Sequence, residues 1–156
     1  MKVSELLKPE FIIADLKGES KEDVIIELIN LFKDDPRVEN LEKVKSAVLD
    51  REKIMSTGVG KGFAIPHGKT NAVKEIIAAF GIIKDGIDYN SLDGQPVKLI
   101  FMLVGKDNLI STHIKLLSRI SRLMNKDDFR NRLLEAVSSD EIIKLFTEEE
   151  EHFLEL

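Results

Sequence analysis

The residues best suited to chemistry lie in the stretch GVGKGFAIPHGKT, residues 58–70. Pro66 restricts the backbone directly before His67, so the pattern predicts a histidine held firmly at the end of a short strand. A ring nitrogen in such a position can attack phosphorus. Backbone N–H groups near Gly58 and Gly60 can approach the phosphoryl oxygens, because glycine carries no side chain. These residue types at this spacing suit phosphoryl transfer.

Other interpretations of the same stretch stay open. A glycine-rich hairpin loop with an incidental histidine accounts for the spacing equally well. The glycines match neither the G-x-x-x-x-G-K-[ST] phosphate loop nor the dinucleotide-binding G-x-G-x-x-G turn. The chain contains no H-E-x-x-H, no G-x-S-x-G and no cysteine. A metal site and a serine hydrolase are therefore disfavoured.

Three further residues are candidates for the same site. His113 falls on the core-facing side of a predicted helix, near its N-terminus. Taken alone, this position favours a buried core histidine over a partner of His67. Arg51 ends the preceding helix, where an arginine either contacts the last carbonyl groups and water or binds phosphate oxygens. Thr57 either donates a hydroxyl hydrogen bond to the site or caps the turn. His152 lies among acidic residues and is expected to be solvated.

Composition limits the function classes. A chain of 156 residues fits one domain, and its net charge of −5 is spread along the sequence, which argues against nucleic-acid binding. The absence of cysteine excludes a disulfide and a thiolate nucleophile. Residues 1–16 carry too many charges for a signal peptide, and no apolar run approaches the roughly 20 residues of a membrane span. We expect a cytoplasmic protein without direct membrane insertion.

The hydrophobic pattern alternates between strands and helices. Near-continuous apolar runs at 76–83 and 97–104 predict strands buried on both faces, and the turn-rich segment between them predicts a long connection. The other expected elements are an edge strand at 11–16, a helix capped by Ser20, a helix over about 40–54 with an apolar face reaching Ile54 or Met55, a helix containing His113, and two short helices divided near 138–139. This order indicates an α/β sandwich.

Three segments together resemble a known family. They are REKIMSTGVGKGFAIPHGKT (51–70), HIKLLSRISRL (113–123) and GIDYNSLDGQPVKLIFMLV (86–104). They are similar to the type 2 EIIA domains of the bacterial phosphoenolpyruvate-dependent phosphotransferase system, the fructose–mannitol class, which includes nitrogen-regulatory EIIA proteins. The resemblance covers nearly the whole chain. It implies a mixed sheet flanked by helices on both faces in a single domain over 1–147, followed by an acidic tail over 148–156.

The resemblance also implies a site and its partners. His67 is expected to accept a phosphoryl group through Nε2, with His113 and Arg51 stabilising it and Thr57, Gly58 and Gly60 supporting the loop. The implied donor is the small carrier HPr, and the implied acceptor is an EIIB cysteine in sugar uptake. Neither a cofactor nor a metal is expected. Two alternatives remain: a nitrogen-type EIIA whose phosphorylation state controls partner proteins, and a binding module that has lost phosphotransfer.

The physical demands of such a carrier add two expectations. Phe63 and Ile65 are expected to shield a labile phosphohistidine from water. A modest apolar patch around His67 is expected to serve both the donor and the acceptor, as is typical of transient interfaces.

Overall fold

The two long apolar runs form the central strands of the sheet, β5 (Ile77–Ile87) and β6 (Val97–Gly105). The computed structural model describes residues 2–154, and their side chains as far as residue 152. The remaining strands are β1 (Ile12–Ile13), β2 (Gly58–Gly60), β3 (Phe63–Ala64) and β4 (His67–Lys69). The helices are α1 (Val3–Leu6), α2 (Lys21–Ile29), α3 (Leu41–Ile54), α4 (Ile110–Met124), α5 (Asp127–Glu135) and α6 (Ser139–Leu154).

The sheet is mixed, and its order is β1-β5-β6-β3-β2, with β4 also paired to β6. β5 and β6 are antiparallel, whereas β1 runs parallel to β5, and β3 and β4 both run parallel to β6. β3 and β4 follow one another along the same edge of β6, separated by Ile65 and Pro66. Because Pro66 has no N–H to give to the ladder, the edge is interrupted just before His67.

Helices cover both faces of the sheet. Phe80 and Phe101 are cross-strand partners and belong to the hydrophobic cluster that includes residues of α4, α5 and α6. Their neighbours Ala79 and Met102 point to the opposite face and belong to the cluster that includes α2 and α3. This alternation follows from the two-residue period of a strand. The expected fold, a mixed sheet with helices on both faces, is confirmed.

The start of α2 and the end of α3 test the helix predictions. The side chain of Ser20 accepts a hydrogen bond from the Asp23 N–H at 3.2 Å, so Ser20 is the N-cap, as predicted. The expected burial of Ile54 or Met55 is wrong: both side chains are exposed. Ile54, the last residue of α3, comes two positions after the buried Glu52 and therefore lies on the opposite side of the helix, whereas Met55 is already extended and no longer follows the helical period.

The acidic segment after residue 147 continues α6 through Leu154. Glu150 is buried in this part of the helix, and its carboxylate accepts hydrogen bonds from the backbone N–H groups of Val3, at 2.6 Å, and Ser4, at 2.7 Å. The segment expected as a tail is thus helical as far as residue 154 and is attached to α1 through Glu150, while residues 155 and 156 lie outside the described residues. His152 is exposed. Among residues 2–154, no helix is both long and apolar enough to cross a membrane.

Candidate active site

His67 is the first residue of β4, and a backbone contact orients its ring. Nδ1 lies 2.9 Å from the carbonyl oxygen of Ile65. Because a carbonyl oxygen can only accept, Nδ1 carries the proton in this hydrogen bond. The lone pair of the neutral imidazole therefore resides on Nε2, which makes Nε2 the nucleophilic nitrogen.

A close approach between β4 and α3 brings Arg51 to the same place. A Cβ atom added to Gly68 would lie only 3.0 Å from the Ala47 carbonyl carbon, so glycine allows the strand to approach the helix backbone closely. Arg51 lies one turn further along α3, and its Nη1 donates a hydrogen bond to the Met55 carbonyl at 2.8 Å. This contact with the end of the helix does not remove Arg51 from the site, since Arg51 and His67 line two cavities together.

His113 lies beside His67. It belongs to the first turn of α4, its side chain is 3% exposed, and its ring centroid is 5.7 Å from that of His67. Neither ring nitrogen of His113 has a hydrogen-bond partner among the described residues. The structure thus brings together the three residues that the sequence suggested for the centre of the site.

Both imidazoles are held neutral at physiological pH. Burial is the main cause that lowers the pKa of His113 to about 4, and the charges of His67 and Lys69 act in the same direction. Burial also lowers the pKa of His67, and the positive charge of Arg51 adds to this effect, although the hydrogen bond to Ile65 opposes it. A neutral His67 keeps its lone pair available for attack.

Two cavities flank His67, and exposed apolar side chains form their rim. The cavity on the side of β2 has a volume of about 290 Å³ and is bordered by Val59 and Leu92. The cavity on the side of α4 has a volume of about 410 Å³ and is bordered by Ile114. These three side chains are 47%, 81% and 60% exposed, respectively, so an apolar patch does surround the site. Ile65 lines the first cavity, whereas Phe63 is packed in the core and lines neither.

The glycines form a hairpin. Gly60, Lys61 and Gly62 have φ angles of 116°, 58° and 84°, which turn the chain from β2 into β3. The Lys61 N–H donates to Asp93 at 2.8 Å, and the Gly58 N–H donates to the Ser56 hydroxyl at 3.1 Å. These two donors are directed to side chains of the protein. The hairpin interpretation therefore describes the glycine pattern.

The three loop residues differ in their relation to His67. Gly58 and Thr57 line the 290 Å³ cavity with His67, whereas Gly60 is turned toward Asp93. The Thr57 hydroxyl is buried and hydrogen-bonds to Glu52 and Tyr89. Within residues 2–154, no group of three or more His, Asp or Glu side chains could hold a metal ion.

Two charged residues near the site were missed from the sequence. Lys69 lies two positions after His67 in β4, so the strand period places both on one side, and Lys69 lines the α4 cavity with His67. Glu52 is buried at 7% exposure and follows Val44 and Val48 at intervals of four residues on the core-facing side of α3. A carboxylate at an apolar position of an amphipathic helix was the signal that could have identified it.

Sequence comparisons place these features in a family. The model described as "Phosphoenolpyruvate-dependent sugar phosphotransferase system, EIIA 2" matches residues 5–149. The chain is 41% identical over 148 residues to the fructose-specific EIIABC component of Bacillus subtilis; the match covers 95% of this chain but 23% of that protein. It is 37% identical over 133 residues to a nitrogen regulatory protein of Bradyrhizobium diazoefficiens, covering 85% of this chain and 86% of the relative. The chain thus spans about a quarter of the first relative and most of the second.

Solved structures agree with the fold. The nitrogen regulatory protein IIA-Ntr from Neisseria meningitidis superimposes with a TM-score of 0.86 at 29% identity, covering 92% of this chain and 98% of that one. The mannitol enzyme IIA in its complex with phosphorylated enzyme IIB from Escherichia coli superimposes with a TM-score of 0.78 at 23% identity, covering 90% of this chain and 96% of that one.

Proposed function

The chain belongs to the EIIA type 2 family of the phosphoenolpyruvate-dependent sugar phosphotransferase system, and from this membership and the geometry of His67 we propose that it is a phosphohistidine carrier. The observation that carries the proposal is the hydrogen bond from His67 Nδ1–H to the Ile65 carbonyl at 2.9 Å. It leaves the lone pair on Nε2, in a residue that borders both cavities. Members of this family are phosphotransfer components.

The proposed reaction is an in-line displacement at phosphorus. The Nε2 lone pair of His67 forms a new N–P bond while the P–N bond of the donor phosphohistidine breaks, and the donor imidazole leaves with that electron pair. The positive charge that develops on the His67 ring is shared with Nδ1–H. The Ile65 carbonyl stabilises this charge because the hydrogen bond strengthens as the donor becomes cationic. The second transfer reverses these roles, with a cysteine thiolate of the acceptor attacking the phosphorus.

Three side chains are placed to meet the charge of the phosphoryl oxygens. Arg51 and Lys69 supply positive charge at the cavities beside His67. His113 is neutral, and one of its ring nitrogens carries a proton that can be donated to a phosphoryl oxygen. A phosphoryl oxygen in that position would satisfy a buried donor that has no partner among the described residues.

The proposed donor is HPr, and the proposed acceptor is an EIIB domain. A carrier that exchanges a phosphoryl group with two proteins must expose its nucleophile at a surface that both can cover. The apolar rim of Val59, Leu92 and Ile114 around His67 provides such a surface. The complex of the E. coli mannitol enzyme IIA with phosphorylated enzyme IIB supports an EIIB domain as the second partner. The fructose-specific name of the B. subtilis relative favours sugar uptake of the fructose–mannitol class.

A regulatory function is the second candidate. The Bradyrhizobium nitrogen regulatory protein is matched over 86% of its length, and the Neisseria IIA-Ntr structure gives a TM-score of 0.86. In that case the same His67 is phosphorylated, but the phosphorylation state controls the binding of another protein. Adjacent genes for an EIIB domain and a permease would favour the transport function. Transfer of the phosphoryl group from the phosphorylated protein to a fructose-type EIIB tests the transport function directly.

The test incubates phosphoenolpyruvate, Enzyme I and HPr with the protein and reads its intact mass before and after acid treatment. We expect the gain of one phosphoryl group that acid removes, and no gain in His67→Ala. His152→Ala is the matched control, because His152 is an exposed histidine on α6. Arg51→Gln and His113→Ala should be phosphorylated about 10- to 100-fold more slowly, the range that corresponds to losing one charge-assisted or buried hydrogen bond.

Two results would contradict the proposal. The first is no gain of mass when HPr itself is phosphorylated in the same mixture. The second is the same gain in His67→Ala as in the unsubstituted protein, which would place the phosphoryl group on another residue.

A further inference from the structure

Glu52 is the centre of a buried polar network and lines neither of the two cavities beside His67. Its Oε1 accepts a hydrogen bond from the Thr57 N–H at 2.9 Å. The same oxygen forms an ion pair with Lys21 Nζ at 2.8 Å. Its Oε2 accepts a hydrogen bond from the Thr57 hydroxyl. A buried carboxylate is costly unless such partners compensate for the lost water, so this arrangement fixes residue 57 firmly.

Tyr89 completes the network. Its hydroxyl lies 3.1 Å from Thr57 Oγ1, and Lys21 Nζ lies 4.7 Å from the centre of its ring. The Thr57 hydroxyl has a single hydrogen, which it uses to donate to Glu52. In the hydrogen bond between Thr57 and Tyr89, the Tyr89 hydroxyl is therefore the donor. Every polar atom of the Thr57 side chain and its N–H is therefore engaged.

Two hydrogen bonds connect this network to the ring of His67, one between backbone groups and one from the ring to a backbone carbonyl. The Thr57 carbonyl accepts from the Ile65 N–H at 3.1 Å, and the Ile65 carbonyl accepts from His67 Nδ1–H at 2.9 Å. The carbonyl that selects the tautomer of His67 thus belongs to a peptide segment held by Thr57, and Thr57 is held by Glu52.

We propose that Glu52 is a positioning residue for His67: through Thr57 and Ile65 it maintains the Nδ1–H tautomer that leaves Nε2 free to attack. The proposal rests on the phosphocarrier function given above. The other neutral tautomer would place the proton on Nε2 and block the nucleophile. Glu52 is a charged residue in the core that touches no reacting atom, and this role accounts for its position.

The experiment separates positioning from stability by observing the tautomer itself. Long-range ¹H–¹⁵N spectra of the unphosphorylated protein distinguish Nδ1–H from Nε2–H in the His67 ring, and His67→Ala assigns the signals. In Glu52→Ala we expect a lower population of the Nδ1–H tautomer and a kcat for phosphoryl acceptance from phospho-HPr that is about 10- to 100-fold lower, with an unchanged KM. Glu52→Gln keeps an acceptor for the Thr57 N–H and should recover most of both values.

The matched control is Asp50→Ala, which removes an exposed carboxylate from the same helix and should leave both the tautomer and kcat unchanged. An unaltered Nδ1–H tautomer in folded Glu52→Ala would overturn the proposal, whatever the rate. If Glu52→Ala does not fold, Thr57→Val replaces it, because valine has a methyl group in place of the hydroxyl that donates to Glu52; an unaltered tautomer there would overturn the connection through this hydroxyl. A protein that HPr cannot phosphorylate would refute the carrier function, while the tautomer comparison would still decide the role of Glu52.

Discussion

Replacing His113 with leucine should make the fold more resistant to acid. His113 is 3% exposed, and neither of its ring nitrogens has a hydrogen-bond partner among the described residues, so no group compensates for a proton taken up by the buried ring. The imidazolium form is further opposed by the positive charges of His67, when it is protonated, and of Lys69. Leucine is of similar size and does not titrate.

The magnitude follows from the difference in proton affinity between the folded and unfolded chains. The pKa of His113 is about 4 in the folded protein, against an ordinary value of 6.5. The unfolded chain therefore binds the proton more tightly, so the contribution of His113 to stability is complete above pH 6.5 and is lost as the pH falls toward 4. At 1.36 kcal/mol for each pH unit, the full difference is about 3 kcal/mol, of which about 2 kcal/mol is lost between pH 7.5 and pH 5.

Urea unfolding followed by circular dichroism at pH 7.5 and pH 5 measures this loss. The decrease in the free energy of unfolding should be about 2 kcal/mol smaller in His113→Leu than in the unsubstituted protein. His67 is present in both proteins, so the part of its contribution that does not depend on His113 cancels in the comparison. His152→Leu, at an exposed histidine, should behave as the unsubstituted protein. Equal losses in His113→Leu and the unsubstituted protein would refute the reasoning.

Three other substitutions test separate parts of the structure. Leu92→Asp should raise the KM for phospho-HPr several-fold with little change in kcat. The control is Val137→Asp, which should leave the KM unchanged, because Val137 is also 81% exposed but lies outside both cavities. Equal effects of the two substitutions would contradict the role of the apolar rim in binding HPr. Gly68→Ala should lower the free energy of unfolding by about 1–3 kcal/mol in urea, because the new Cβ would lie 3.0 Å from the backbone of α3; unchanged stability would show that the helix can yield. Glu150→Gln should cost about 1–3 kcal/mol in the same assay at pH 7, since its carboxylate accepts two backbone N–H groups of α1. The exposed neighbour Glu151→Gln should cost nothing measurable, and an equal cost would count against the α1 contact.

Local patterns were sufficient to predict most of the fold. The continuous apolar runs at 76–83 and 97–104 identified β5 and β6, because strands covered on both faces have no polar side. β5 nevertheless continues to Ile87 through exposed Lys84 and Asp85, where the composition becomes turn-like. The acidic composition after residue 147 concealed the end of α6, since a tertiary contact of Glu150 with α1 is not encoded in a local pattern.

The residues at the centre of the candidate site could be predicted from the sequence, whereas the residues that hydrogen-bond to its loop could not. His67, His113 and Arg51 are separated widely in sequence but could be chosen by residue type and by the family motif. The hydroxyl of Thr57 hydrogen-bonds to Glu52 and Tyr89, which reach it from a helix and from a segment 32 residues away. The glycines suggested an anion-binding loop because their spacing alone does not reveal that Asp93 accepts from the hairpin.

The positive charges around His67 are partly screened by solvent, and a phosphoryl carrier needs a site that does not hold the phosphoryl group too tightly. A site that bound the phosphoryl group very tightly would lower the energy of the intermediate and slow the second transfer. Here the positive charges of Arg51 and Lys69 are accessible to solvent, which screens them, and His113 is held neutral by burial. The positive charges at the site therefore do not form a deep, fully charged cage. On the proposed function, this balance lets the phosphoryl group enter from one partner and leave to another through the same face.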